Sequence, residues 1–103
     1  MKLMITSTYP LSSINKVVDI FLDTASKNPM PDYIEMLSLY SHWGGDGIKA
    51  YTVYDIKEDR VDEGVLEITK RMVNFASVDG YKIESQVILP IEEALAILGK
   101  KMP

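Results

Sequence analysis

Along the chain, apolar residues alternate with polar ones in some stretches and recur at helical spacing in others, and the switches of period mark out the elements. Leu3 to Tyr9 reads as a first strand, rich in β-favouring residues and stopped by Pro10. Ser12 or Ser13 is placed to cap a helix whose apolar positions are Ile14, Val17, Val18, Phe21, Leu22 and Ala25. That helix is expected to end near Asn28-Pro29, because a residue before proline avoids the α region. Tyr33 to Trp43 and Ile48 to Ile56 are strand-like runs flanking Gly44-Gly45-Asp46-Gly47, where glycine supplies the positive φ of a tight hairpin. Setting Trp43 opposite Ile48 puts His42 opposite Lys49, Tyr40 opposite Tyr51 and Leu39 opposite Thr52.

Asp59 precedes a second helix, with Asp62 as a partial capping box and a predicted buried stripe of Val61, Val65, Ile68 and Met72. Gly64 inside it costs about 1 kcal/mol relative to alanine. Close packing against the first helix would offset that cost. Val78-Asp79-Gly80 breaks the pattern, and Tyr81 to Leu89 alternates as a fourth strand. Pro90, Glu92, Glu93 and Gly99 frame a short last helix with the stripe Ile91, Ala94, Leu95 and Leu98.

The order β-α-β-β-α-β followed by α predicts an α+β fold of the split βαβ, ferredoxin-like kind. Two right-handed crossovers would place both helices on one face of a four-stranded antiparallel sheet. One domain is expected over residues 1–103, since a division would leave two pieces too small to bury adequate cores. Leu37, Leu39, Ser41 and Trp43, with Ile48, Ala50, Thr52 and Tyr54, form the more aliphatic hairpin face. They are assigned to the helices, with Trp43 in the core. The opposite face carries Met36, Ser38, Tyr40 and His42 with Lys49, Tyr51, Val53 and Asp55. It is half aromatic and apolar, and a second copy of the chain is expected to cover it.

The opening MKLMITSTYP, the glycine-rich hairpin WGGDGIKAYTVYD and the acidic helix entry KEDRVDE give the chain a resemblance to the dimeric α/β-barrel families. It is most similar to short uncharacterised families related to the antibiotic-biosynthesis monooxygenase-like proteins. The resemblance covers nearly the whole length and implies two ferredoxin-like sheets paired face to face. Cofactor-free oxygenases among such relatives use a pocket of Asn, Trp, Tyr and His, and haem-degrading members carry a histidine ligand on the second helix. Here the second helix has no histidine and the first strand no asparagine, so haem is not expected.

Composition narrows the chemistry. With no cysteine and a single histidine, disulfides, thiolate metal sites, iron–sulfur clusters and multi-histidine zinc sites are excluded, and no metal or other cofactor is expected. The net charge of −4 argues against nucleic acid, which requires a clustered basic surface. Lys70-Arg71 and Lys100-Lys101 are read as solvated helix ends. The apolar start breaks at Thr6 and Ser7, too early for a signal-peptide core or a membrane span, so a cytoplasmic protein without membrane contact is expected.

Three functional readings are open, one of them a structural partner module with no cavity. In the first, a homodimer holds an apolar or amphipathic small molecule, fatty-acyl or aromatic, between its sheet faces. Met4, Thr6, Thr8, Met36, Tyr40, Tyr51, Val53 and Gln86 would line that site. Tyrosines suit such a lining because an apolar ring carries a polar tip, although strands also favour them for packing. In the alternative, a cofactor-independent oxygenase or proton-transfer enzyme uses His42 as its general base beside Tyr40. The acidic run Asp59, Asp62, Glu63 and Glu67 is assigned to the helix dipole and solvent.

Overall fold

The computed structural model describes residues 1–103. Its elements are β1 (Lys2–Tyr9), α1 (Ile14–Lys27), β2 (Ile34–Gly44), β3 (Gly47–Ile56), α2 (Val61–Val73), β4 (Lys82–Ile88) and α3 (Ile91–Ile97). Single 3-10 turns at Leu11–Ser13 and Glu58–Arg60 lead into α1 and α2. The strands form one antiparallel sheet in the order β2-β3-β1-β4, giving an α+β fold compatible with a ferredoxin-like arrangement.

Alternation along β1 sets the two sides of the sheet. Leu3, Ile5, Ser7 and Tyr9 are buried, while the residues between them are half-buried on the other face. Two apolar clusters make up the core, one of Leu3, Ile5, Ile34, Ile56 and Ile68, the other of Tyr9, Val17, Ile48 and Val78. Each joins sheet to helix or to the segment after α2.

The hairpin pairs as its sequence predicts, with Trp43 opposite Ile48, His42 opposite Lys49, Tyr40 opposite Tyr51 and Leu39 opposite Thr52. Gly47 alone among its glycines has positive φ, at 112°, and a Cβ there would stand 2.5 Å from the Tyr9 carbonyl oxygen. Further along, the register slips between Met36 and Ser38, leaving Leu37 as the extra residue of a β-bulge. The bulge corrects one assignment. Met36 pairs with Tyr54 on the helix side, not with the open-face set, and Leu37 has no partner across the strands.

Other expectations give way to tertiary contacts. Ser13 does not cap α1; its hydroxyl donates to the Asp79 carbonyl at 2.9 Å and ties α1 to the loop before β4. No side chain caps α2, which Asp59 was expected to do. Gly64 packs on Ile56 of β3 rather than on the first helix. Trp43 lies on the helix side but is 60% exposed, with its indole N–H donating to Ser41 Oγ. β2 is a sheet edge, so Trp43 has a neighbouring strand on one side only.

Candidate functional site

α2 meets the sheet closely at one place and stands off from it at another. At Gly64 the approach is so tight that a Cβ would lie 2.4 Å from Ile56 Cγ2. From Ile68 onward the helix borders a hollow of about 250 Å³ between the helices and the sheet. Ile5, Ser7, Ala50, Thr52 and Tyr54 form its floor, Val17, Val18 and Phe21 come from α1, and Ile68, Arg71 and Met72 come from α2. Tyr9, Tyr81 and Phe75 build one wall as a stack, with ring centroids 5.7 Å apart for Tyr9–Tyr81 and 4.9 Å for Phe75–Tyr81.

A second hollow, of about 300 Å³, runs toward the Pro29-Met30 loop and includes Met36. The two share Phe21, Tyr54, Arg71 and Phe75, so Arg71 stands at their junction as the sole charged side chain lining either. Arg71 is not the solvated helix end that its place beside Lys70 suggests. Its side chain is only 16% exposed. Nε donates to Glu67 Oε1 at 3.1 Å, and Nη2 lies 3.1 Å from the same oxygen and donates to the Pro29 carbonyl at 3.2 Å.

The phenols nearby are held neutral. Burial pushes the Tyr54 pKa up, the Arg71 cation pulls it partly back, and Tyr81 raises it further. Burial likewise raises Tyr81, with the Ser7 hydroxyl acting in the opposite sense and Tyr9 adding to the rise. Tyr9 itself is raised by burial. Neutral tyrosines and one fixed cation suit the hollow to polar recognition within a mainly apolar surface.

The residues expected to line a site on the open face are distributed differently. Met4, Thr6, Thr8, Tyr51, Val53 and Gln86 share that face, Thr6 opposite Tyr51 and Met4 between Val53 and Gln86, but none lines either hollow. Tyr40 borders the first hollow from the sheet edge and is 72% exposed, and Met36 enters the second through the bulge. Lys49 lies over the Tyr51 ring at 5.6 Å. His42 is exposed near the hairpin tip, with its imidazole over Gly44; it lines neither hollow, and no carboxylate forms an ion pair with it.

Arg71 and Phe75 carried a signal that the predicted stripe did not use. Positions 64, 68, 71 and 75 follow helical spacing, and their sheet-facing side is masked only because it begins with glycine and contains arginine. No group of His, Cys, Asp or Glu side chains is arranged to hold a metal ion, and no helix is long and apolar enough to cross a membrane.

No family model matches the chain, and no curated protein matches it. Among solved structures, a tripeptidase from Staphylococcus aureus aligns over 95% of this chain and 35% of its own, with 9% identity and a TM-score of 0.43. The chain thus spans about a third of that protein's length, and a likeness of this degree carries no argument about fold or activity.

Proposed function

We propose that this chain is a binding domain for a small apolar or amphipathic molecule, seated between the helices and the sheet. The observation that supports it is the 250 Å³ hollow, walled by stacked aromatic rings and aliphatic side chains with a few polar groups among them. Its volume is close to the lower end of the range of roughly 300–1,000 Å³ usual for ligand pockets. Calorimetry with decanol tests the reading. Wild type should bind, and Ala50→Phe, which fills the floor from the sheet, should lose binding while keeping its circular dichroism. Equal binding by a folded Ala50→Phe protein would refute it.

The domain is further proposed to be ferredoxin-like and to work as a homodimer through its open sheet face, as dimeric α/β-barrel proteins do. The strand order β2-β3-β1-β4 supports the first part. Surface area supports the second. The chain exposes 7108 Å², whereas scaling gives about 5,800 Å² for a compact monomer of this mass. The excess of about 1,300 Å² exceeds the roughly 800 Å² that each partner buries in a standard interface. Its radius of gyration, 15.5 Å, likewise exceeds the value of about 13 Å for a compact chain of this length. Sedimentation at micromolar concentration should give a species of twice 11.6 kDa, weakened by Tyr51→Glu; an 11.6 kDa species alone would overturn the dimer.

A further inference from the structure

Arg71 is placed differently from an ordinary structural arginine. A guanidinium has five N–H donors, and two of them belong to Nη1. Nε and Nη2 are engaged by Glu67 and Pro29, whereas Nη1 has no acceptor within the chain. Tyr54 lines both hollows with Arg71 and feels its charge, and its hydroxyl makes no side-chain hydrogen bond. Every side-chain nitrogen or oxygen sealed from solvent has a partner, so these unpaired groups open onto accessible space rather than being buried without one. Two unused N–H groups and a phenol therefore stand at the meeting point of two apolar hollows.

We infer that this junction is a head-group site for an amphipathic anion, a carboxylate whose oxygens accept from Arg71 Nη1 and the Tyr54 hydroxyl while its apolar tail fills the adjoining hollow. The inference rests on the binding role proposed above and names the class of ligand. A carboxylate presents acceptors only, which matches a guanidinium edge that can only donate and a phenol whose proton is free to donate. Planar Nη1 geometry suits it better than a point charge would. The phenol fits as well, since burial keeps Tyr54 protonated and able to donate.

Glu67 is the group that opposes this assignment. It shares the guanidinium, but through Nε and Nη2, which leaves the Nη1 edge to the ligand. Its repulsion should weaken a second carboxylate, and that makes it a diagnostic position. The comparison that decides the matter is decanoate against decanol, two probes with the same tail. A purely apolar hollow favours the alcohol, because stripping water from an unpaired carboxylate is costly. A hollow with an unused cation reverses the order.

Calorimetry near neutral pH should show wild type binding decanoate at least tenfold more tightly than decanol. Arg71→Leu should abolish that preference while leaving decanol affinity within a factor of about three. Glu67→Gln should tighten decanoate severalfold and leave decanol unchanged, a readout that does not depend on whether the Arg71 variant folds. If decanol binds as well as decanoate in wild type, the anion site is refuted and the apolar binding role stands. If neither probe binds, both are refuted. A decanoate preference that persists in a folded Arg71→Leu protein would assign the head group elsewhere and overturn the inference.

Discussion

Replacing Gly64 by alanine should destabilise the domain, although helix propensity alone predicts the reverse. In an α-helix alanine is favoured over glycine by about 1 kcal/mol. Against that, the new Cβ would stand 2.4 Å from Ile56 Cγ2, 3.1 Å from Cδ1 and 3.2 Å from Cγ1. Ile56 is only 1% exposed and packs in the cluster of Leu3, Ile5, Ile34 and Ile68, so it has no free volume into which to move. Overpacking at such a site costs about 1–3 kcal/mol. With a contact this short the upper part of that range applies, leaving a net loss of about 1–2 kcal/mol. For a domain of this size the melting midpoint should fall by about 4–8 °C per kcal/mol. The decisive assay is a double-mutant cycle in urea with Ile56→Ala, which removes the methyl that collides. That change alone should cost about 2–5 kcal/mol, yet in its background Gly64→Ala should become neutral or stabilising. A stabilising Gly64→Ala in the wild-type background would refute the close approach of α2 to β3, and with it the wedge shape that opens the hollow beyond Ile68.

The remaining predictions are more local. Gly47→Ala should destabilise strongly in chemical melts, because φ is 112° and the Tyr9 carbonyl oxygen lies 2.5 Å from the added carbon, whereas Gly45→Ala meets nothing within 4 Å and should be silent. In alkaline titrations followed by phenolate absorbance, Tyr9, Tyr54 and Tyr81 should ionise above the ordinary value of 10.0. Because their folded values are raised, the stability they contribute is fully present below the unfolded pKa and is lost as pH rises through the folded values; stability unchanged into that alkaline range would contradict their burial. If the proposed dimer covers α3, amides of Leu95 and Leu98 should exchange quickly at low concentration and slowly at high concentration, since Ile91, Ile97 and Leu98 are exposed in the single chain and a helix this short is marginal without packing; fast exchange at every concentration would leave α3 outside the interface. His42→Ala should leave decanol and decanoate affinity unchanged, as the imidazole lines neither hollow; a loss of binding would require a site at the hairpin tip.

Element order and hairpin register were legible because each rests on local physics. Period changes, Pro10, Pro29 and the glycine-rich turn act within a few residues of where they stand, and pairing Trp43 with Ile48 fixes the cross-strand partners as far as Ser38. Strict alternation beyond that point was bound to fail at Leu37. A bulge adds one residue without any change of composition, and everything on its far side then changes face. Met36 was therefore given to the open face, although it pairs with Tyr54 on the helix side.

The hollow was hidden for a different reason. Its key residues are those that a hydrophobic pattern discards: Gly64, which brings α2 down onto Ile56, and Arg71, which holds a charge two turns further along the same side. A glycine and an arginine at seven-residue spacing look like a break and a solvated end. In three dimensions the first makes contact and the second borders the gap that such contact leaves, because a stiff helix pressed to the sheet at one point need not follow it at another. Phe75 completes that side beyond the end of α2, stacked on Tyr81. Polar residues on the sheet-facing side of a helix are thus informative in this chain. Glu67 and Pro29 engage only part of the Arg71 donor set, and the unpaired remainder, open to accessible space, is the edge that the inferred head-group site would use.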